Sequence, residues 1–438
     1  MMHPVATAAP GVPARDAATG TLRVLVVMPL GHALGGGEEM LRQLLRDSGD
    51  AGVEWTVAFL RAGPLVEEVR ALGISCHVVN AGRFRQVAKR VAAVRRIAAL
   101  ARERHVDLCV GWMVAGQATA GPAALLAGVP CAWYQVGTPR PDWLDRLATL
   151  WPAVGVITLS TAGAAAQARI WPRRPVRIVY PGVSLGAIEH ARLEDPRALR
   201  ARFGLPADGP IVGIVGRLQR WKGVHVFLDA MALLRRTHPA VHAVVVGGPH
   251  ETEPAYADGL RVQAARNGLA PHVTFAGFQP NPAEWMQAMD VVVHAADREP
   301  FGIVVVEAMA LGKPVVAGAE GGPAEIVTDG VDGLLTPYGD AAALATAVAR
   351  FLDDPARAKQ IAAAARTRAV AFSSAAYARN LVAALRELAG PGPTCATPPP
   401  SRSASGSRPA TGPTCCGACW IASRPGRRRC RRRATKWW

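Results

Sequence analysis

Apolar residues in this chain come in short β-branched runs that alternate with stretches apolar at every third or fourth position. The first run, residues 21–30 (TLRVLVVMPL), leads into a glycine loop, Gly35-Gly36-Gly37, and then a helical pattern. VEWTVAFL and ISCHVV follow, then a helix from about Arg83 to Arg104 and the strand VDLCVGW. A helix through Ala115–Leu126 and the strands PCAWYQV and AVGVITLS complete this half. Tyr180-Pro181-Gly182 and the charged stretch Glu189–Arg202 break the alternation, which then begins again. Strands IVGIVG (211–216), HAVVVGG (242–248), HVTFAGF (272–278), DVVVHAA (290–296) and PVVAG (314–318) are separated by helical patterns. Helices over Ala341–Leu352, Pro355–Val370 and about Ser374–Leu388 close the series.

Apolar runs alternating with helices predict parallel sheets covered on both faces. Two such series predict an α/β chain of two doubly wound, Rossmann-like domains facing a central cleft. The expected divisions are a disordered Ala/Pro/Gly-rich start over residues 1–20, domains over 21–185 and 186–372, a C-terminal helix over 373–390 crossing back to the first domain, and a disordered basic tail over 391–438.

Composition narrows the classes. Half of the 438 residues are hydrophobic and 19% are charged, which excludes a mostly disordered chain. A net charge of +17 suggests nucleic acid, an anionic membrane or a phosphorylated substrate. Residues 391–438, however, hold ten basic residues and no acid, leaving 40 basic against 33 acidic residues, a net +7, elsewhere. A nucleic-acid-binding protein is the charge-based alternative, disfavoured because the tail supplies no fold and no aromatic platform. Five of the eight cysteines also lie in the tail. Cys76, Cys109 and Cys131 make no disulfide framework, which fits a reducing compartment. The Cys416–Cys419 pair lacks a second pair to complete a zinc site, so no metal is expected. No basic-then-apolar leader is visible. Glycine and proline break the uncharged stretches 108–139 and 147–168, which read as buried α/β pieces rather than membrane spans. A soluble, cytoplasmic protein is the expectation.

The candidate chemistry sits where strands end. IVGIVG runs into Gly216-Arg217-Leu218-Gln219-Arg220-Trp221-Lys222-Gly223. Ligands bind at the carboxyl edge of an open sheet, where Arg217 and Lys222 can converge on a polyanion, Arg through a bidentate fork and Lys as a point charge. DVVVHAA runs into Asp297-Arg298-Glu299-Pro300-Phe301-Gly302-Ile303 and then the helix VVVEAMALG. Pro300 and Gly302 suit a helix start at which backbone N–H groups approach a ligand. Glu299 precedes that helix and Glu307 lies about 1.5 turns into it. Two carboxylates there are repelled by phosphate but can accept from hydroxyls on either side of it.

The run EPFGIVVVEAMALGKPVVAGAEGGPAEIVTDGVDGLL (299–335), with GRLQRWKG (216–223), closely resembles the family-4 retaining glycosyltransferases of GT-B fold, from about Arg23 to Leu388. Glu299 and Glu307 match their Glu-x7-Glu motif. The resemblance implies that Arg217 and Lys222 grip the pyrophosphate of a nucleotide-diphosphate sugar, with Glu299 on donor-sugar hydroxyls and Glu307 on the ribose. Phe301, Gly302 and Ile303 would offer backbone groups to sugar and phosphate. Gly247 and Phe278, at strand ends, would line the nucleotide pocket, and Gly216 would belong to the donor site. Gly36 and Gly37 resemble the family's GGxE loop, which lets the first domain approach donor and acceptor. Where the family usually carries a cleft histidine after its fourth or fifth strand, this chain has Val136. Gln135 or Tyr134 beside it could supply a polar contact instead, although side chains alternate along a strand, and His294, at a strand end near the site, is a further candidate cleft residue.

The implied activity is metal-independent, retaining hexosyl transfer from a UDP- or GDP-type sugar to a sugar or lipid-linked hydroxyl acceptor. It would serve bacterial cell-surface polysaccharide, lipopolysaccharide or glycolipid synthesis, with no cofactor beyond the donor substrate. A nucleotide-sugar epimerase or a phosphorylase-like enzyme could share the fold. The helix over 83–104 carries Arg83, Arg85, Lys89, Arg90, Arg95, Arg96, Arg102 and Arg104 against Glu103, with Val87, Val91, Val94 and Ala98 at helical spacing. It reads either as a solvated outer helix or as a basic amphipathic one docking on the inner face of the plasma membrane. No GxGxxG with a following acid and no GxxxxGK[ST] loop is present, which disfavours an NAD oxidoreductase and a P-loop nucleotidase.

Overall fold

A computed structural model of the chain describes residues 20–390, apart from 33–34, 50, 84 and 140–141. The tail 391–438, with the Cys416–Cys419 pair, and the start of the chain lie outside the described residues.

The first sheet has seven strands: β1 (Leu22–Met28), β2 (Val53–Phe59), β3 (Ser75–Val78), β4 (Leu108–Trp112), β5 (Cys131–Gln135), β6 (Gly155–Thr158) and β7 (Val176–Ile178). Its helices are α1 (Gly36–Asp47), α2 (Pro64–Ala71), α3 (Val87–Glu103), α4 (Met113–Ala127), α5 (Trp143–Leu150) and α6 (Thr161–Gln167). All neighbours pair in parallel, in the order β3-β2-β1-β4-β5-β6-β7.

The second half opens with α7 (Leu185–Arg192) and α8 (Pro196–Phe203). It continues through β8 (Ile211–Val215), α9 (Val224–Leu234), β9 (His242–Val246), α10 (Pro254–Arg266), β10 (Val273–Gly277) and α11 (Pro282–Ala288). Next come β11 (Val291–His294), α12 (Ile303–Ala310), β12 (Val315–Gly318), α13 (Pro323–Ile326) and β13 (Leu334–Thr336). Helices α14 (Ala341–Asp353), α15 (Pro355–Ala369) and α16 (Ser374–Ala389) end the described chain. The second sheet is again parallel, ordered β10-β9-β8-β11-β12-β13.

Both sheets thus reverse strand order beside their first strand, between β1 and β4 and between β8 and β11. Such a reversal opens a crevice at the carboxyl ends of the two strands, because the following connections leave for opposite faces. Strands β8 and β11 are buried along their whole length, which is why they read as continuous β-branched runs. Aspartates and a serine end the loops: Asp195, Asp340, Asp354 and Ser373 accept from first-turn N–H groups of α8, α14, α15 and α16.

Helix α16 packs on α1 of the first domain. Tyr377 Oη donates to Tyr134 Oη at 3.0 Å, and Arg386 donates to the carbonyls of Ala51 and Gly52 at 2.8 Å. Two chain segments therefore cross between the domains, and they touch: Val183 N donates to Phe372 O, and Ser374 N to Val183 O, both at 2.9 Å. Tyr180, Phe301 and Phe372 stack around this crossing with ring centroids 5.8–6.1 Å apart.

Two readings are corrected locally. Gly36 and Gly37 are not loop residues but the first turn of α1, capped by extended Gly35. The basic helix starts at Val87 rather than Arg83, because Arg83 and Gln86 close a turn through Arg83 N to Gln86 Oε1 at 3.0 Å.

Candidate active site

The carboxyl ends of β8 and β11 lie side by side, so the loops that follow them share one crevice. After β8, residues Arg220–Lys222 form a single 3-10 turn that ends at Gly223. This turn lifts Lys222 toward the end of β11, where its ammonium forms an ion pair with Glu299 and lies 4.1 Å above the Trp221 ring. His294, the last residue of β11, brings Nε2 to 3.2 Å from the same Glu299 Oε2. His294 is 4% exposed, and the side chains of Glu299 and Lys222 are 11% and 18% exposed. Burial opposes ionisation of Glu299, but the charge of Lys222 and the contacts with His294 outweigh it and hold the carboxyl at about 2. Both partners engage Oε2, and no hydrogen bond to Oε1 is seen among the described residues.

Glu307 has the opposite environment. Burial pushes its carboxyl up to about 7, and Glu39 of the first domain adds like-charge repulsion. The N-terminus of α1 faces that of α12: a Cβ on Gly36 would sit 3.2 Å from Ile303 Cδ1. Glu38 is buried there, its carboxyl raised by burial and partly offset by its own backbone N–H and the charge of Arg217. Arg217 is exposed on the rim, with Nη1 3.3 Å from His250 Nε2. The crevice therefore has a buried Lys222–Glu299–His294 floor, an Arg217 rim, and two helix N-termini, those of α1 and α12, opposed across it. Helix N-termini carry partial positive charge and free N–H groups, suited to an anion between them.

Glycine sets the approach. Gly302 caps α12 at φ +104°, a conformation that favours glycine, and this places the first α12 amides beside the Glu299 loop. At Gly247 a Cβ would run into the Gly216 carbonyl oxygen, so only glycine lets the ends of β8 and β9 close up. Gly247 N then donates to Gly277 O at 2.8 Å, which ties in β10. Phe278 follows, 77% exposed beside Gly248. Phe301 turns its ring into the interdomain aromatic cluster, and its backbone packs against Gly322.

The structure brings Lys222, Glu299 and His294 together, with Arg217, Gly216, Gly247, Gly302, Ile303, Glu307, Gly36 and Gly37 around them. It does not bring Gln135. That side chain, a candidate for the cleft, faces the other side of β5, where Nε2 donates to Asp145 Oδ1 at 2.9 Å. Strand alternation is the cause, since its neighbour Val136 lies against Gly37. His294 proves to be a packed, hydrogen-bonded residue beneath the site rather than an open cleft group. Glu38, Glu39, Trp221 and His250 escaped sequence reasoning; the two acids of GGGEE at a helix start were the one available signal. Among the described residues no group of three or more His, Cys, Asp or Glu side chains could hold a metal, and no helix is long and apolar enough to cross a membrane.

Residues 195–368 match the family model described as glycosyl transferases group 1. The chain is 42% identical over 204 residues to a D-inositol 3-phosphate glycosyltransferase of Mycobacterium avium, covering 46% of each. It is 38% identical over 222 residues to the Frankia alni protein of the same name, covering 49% of this chain and 54% of that one. The chain thus spans about half the length of the curated relatives it matches. Among solved structures, Anabaena Alr3699/HepE in complex with UDP is 26% identical, with a TM-score of 0.73 over 83% of this chain and 99% of that one. The same protein with UDP-glucose gives 0.72 over the same shares. Residues 195–368, which carry Arg217, Lys222, His294, Glu299 and Glu307, are therefore the part matched by the group 1 glycosyl transferase family, set within a chain of two-domain GT-B fold.

Proposed function

We propose that this protein is a retaining glycosyltransferase that moves a sugar from a nucleotide diphosphate to a hydroxyl acceptor. The observation that carries the reading is the buried Lys222–Glu299–His294 cluster at the β8/β11 reversal, beside the N-terminus of α12. In this reading Arg217, Lys222 and the α12 amides receive the diphosphate, while Glu299 Oε1 accepts from a sugar hydroxyl and Glu307 from the ribose. Breaking the anomeric C–O bond places negative charge on the leaving diphosphate. A fixed unit cation 4 Å away stabilises it by about 4 kcal/mol at an effective dielectric near 20. These cations supply the charge that a metal provides elsewhere, and the departing phosphate takes the acceptor proton on the same face. Solved neighbours bound to UDP and UDP-glucose favour a UDP-type donor over a GDP-type one. The relatives' names put polyol phosphates among the acceptors to screen, beside the sugar and lipid-linked acceptors of cell-surface polysaccharide, lipopolysaccharide or glycolipid synthesis.

Lys222→Ala and Glu299→Ala are expected to lower transfer of labelled sugar by about a hundredfold or more, the scale set by losing one preorganised charge. Parent-level transfer by either folded variant would overturn the assignment. Label returned as an isomerised nucleotide sugar or as sugar 1-phosphate would instead favour an epimerase or a phosphorylase-like enzyme.

A place on the inner face of the plasma membrane is part of the same proposal. Helix α3 buries Ala93, Ile97 and Ala98 but leaves Val87 67% and Val91 44% exposed among its cations. Leu125 and Leu126 are also exposed, at the end of the adjoining α4, where Arg102 of the far end of α3 donates to Leu126 O. Each cation near an anionic surface adds about 1 kcal/mol. The chain is expected to co-sediment with phosphatidylglycerol-containing vesicles and to lose that binding on Val87→Asp with Val91→Asp. Binding indifferent to the anionic lipid and to both substitutions would remove the membrane part.

A further inference from the structure

On the opposite edge of the second sheet, the N-terminal ends of β8, β11 and β12 meet α14 and α15 around a groove of about 770 Å³. That volume lies in the range of small-molecule sites. Met289, Leu311, Phe351 and Ala362 give it an apolar floor. Its walls carry Arg192, His238, Lys313, Lys359 and Arg366 against a single carboxylate, Asp290. That carboxylate is already engaged, accepting from Arg200 Nη2 at 2.8 Å and Ile211 N at 2.7 Å.

The cations differ in how far they are satisfied. Arg192 and Arg366 share Glu189, and His238 faces Asp353. Lys313 Nζ donates to the Gln287 carbonyl at 2.7 Å and has no carboxylate partner among the described residues. Burial pushes this amine down to about 8 even though Asp290 acts to raise it. A half-buried ammonium whose hydrogen-bond partner is a carbonyl, with Asp290 near but engaged elsewhere, gains from an anion that reaches it. Lys359 is exposed on α15 and pairs with nothing among the described residues. Lys359 and Arg366 stand seven residues apart on that helix, so about 10 Å of largely alanine surface separates them.

We propose that this groove is a second ligand site, distinct from the cleft, that takes a small anionic amphiphile whose phosphate head meets Lys313 and Lys359 and whose apolar body lies on the floor. Charge excludes the chain's own tail as occupant, since residues 391–438 carry ten cations and no acid. The proposal does not rest on the reading of the cleft.

The test is calorimetric titration of the full chain with octyl phosphate, inorganic phosphate and octyl glucoside, with a parallel vesicle arm containing phosphatidic acid. Octyl phosphate is expected to saturate one site at least tenfold more tightly than inorganic phosphate, with no saturable binding of octyl glucoside. Lys359→Glu, on an exposed helix face and with unchanged thermal unfolding, is expected to weaken octyl phosphate at least tenfold, whereas Lys222→Ala in the cleft leaves it unchanged. In the Val87→Asp/Val91→Asp background, which removes the proposed α3 contact, loss of phosphatidic acid vesicle binding on Lys359→Glu would place the phosphate in a bilayer headgroup, and unchanged vesicle binding would place it on a free molecule. No saturable binding of octyl phosphate, equal affinity in Lys359→Glu, or equal binding of octyl glucoside overturns the proposal.

Discussion

Glu299 and Glu307 flank the start of one helix, yet their surroundings push their protons in opposite directions. Glu299, held at about 2 by Lys222 and His294 against its burial, lies below the unfolded value near 4.3. Its share of stability is present above that value and is lost as pH falls toward 2. Glu307, raised to about 7 by burial and by Glu39, works the other way: its share is present below about 4.3 and is lost as pH rises through 7. Thermal unfolding of Glu307→Gln should therefore vary less than the parent's between about pH 5 and 8, and that of Glu299→Gln less below about pH 4.5. Identical slopes in parent and variants would contradict these environments. Glu299→Gln should also cost about 3 kcal/mol at neutral pH, because Lys222 then keeps a mostly buried charge without its counterion. Lys222 and Glu299 were legible because each stands just past an apolar run. Their pairing was not, since it depends on β8 and β11 being neighbours, an ordering that periodicity does not encode. The approach of Glu39 to Glu307 was equally hidden, because it is set by how the two domains pack.

Strands such as β8 and β11 are announced by unbroken β-branched runs, since burial on both faces demands them. The three-residue strands β7 and β13 and the short helices α5 and α6 carry too few positions for any period to show. The start of α1 was misplaced for a related reason. Three successive glycines look like a turn, but only their packing against α12 and Met113 decides where helical hydrogen bonding begins. The ends of β8, β9 and β10 make the sharpest test at this scale. Gly247→Ala forces a methyl into the Gly216 carbonyl and so parts β8 from β9 just where the donor is proposed to lie. The variant is expected to fold, with a circular dichroism spectrum like the parent's, and to bind UDP at least tenfold more weakly in calorimetry. Unchanged UDP affinity would mean that the strand ends do not shape the nucleotide pocket.

Across the whole molecule, one carboxylate joins the site loop to the other domain. Glu325 on α13 accepts from Thr161 N at 2.9 Å and Ala162 N at 3.1 Å, at the start of α6, and from Tyr180 Oη at 3.0 Å. The same short segment holds the site, because Gly322 N donates to Glu299 O at 2.8 Å and Pro323 packs beside Gly302. Hydrogen bonds to charged groups are worth about 1.5–3 kcal/mol each on removal. Glu325→Ala is expected to raise the radius of gyration in small-angle scattering and to lower sugar transfer without altering residues that touch the donor. An unchanged scattering curve would show that Glu325 does not hold the domains together.

The paired crossing at Val183 and Ser373 limits what such an opening can be. A lone linker lets two bodies swivel freely, whereas two straps hydrogen-bonded side by side act as a door hinge: they flex about one line and resist twist. After an opening of the kind expected for Glu325→Ala, such a hinge would return the two faces to the same register, with Gly36 against Ile303.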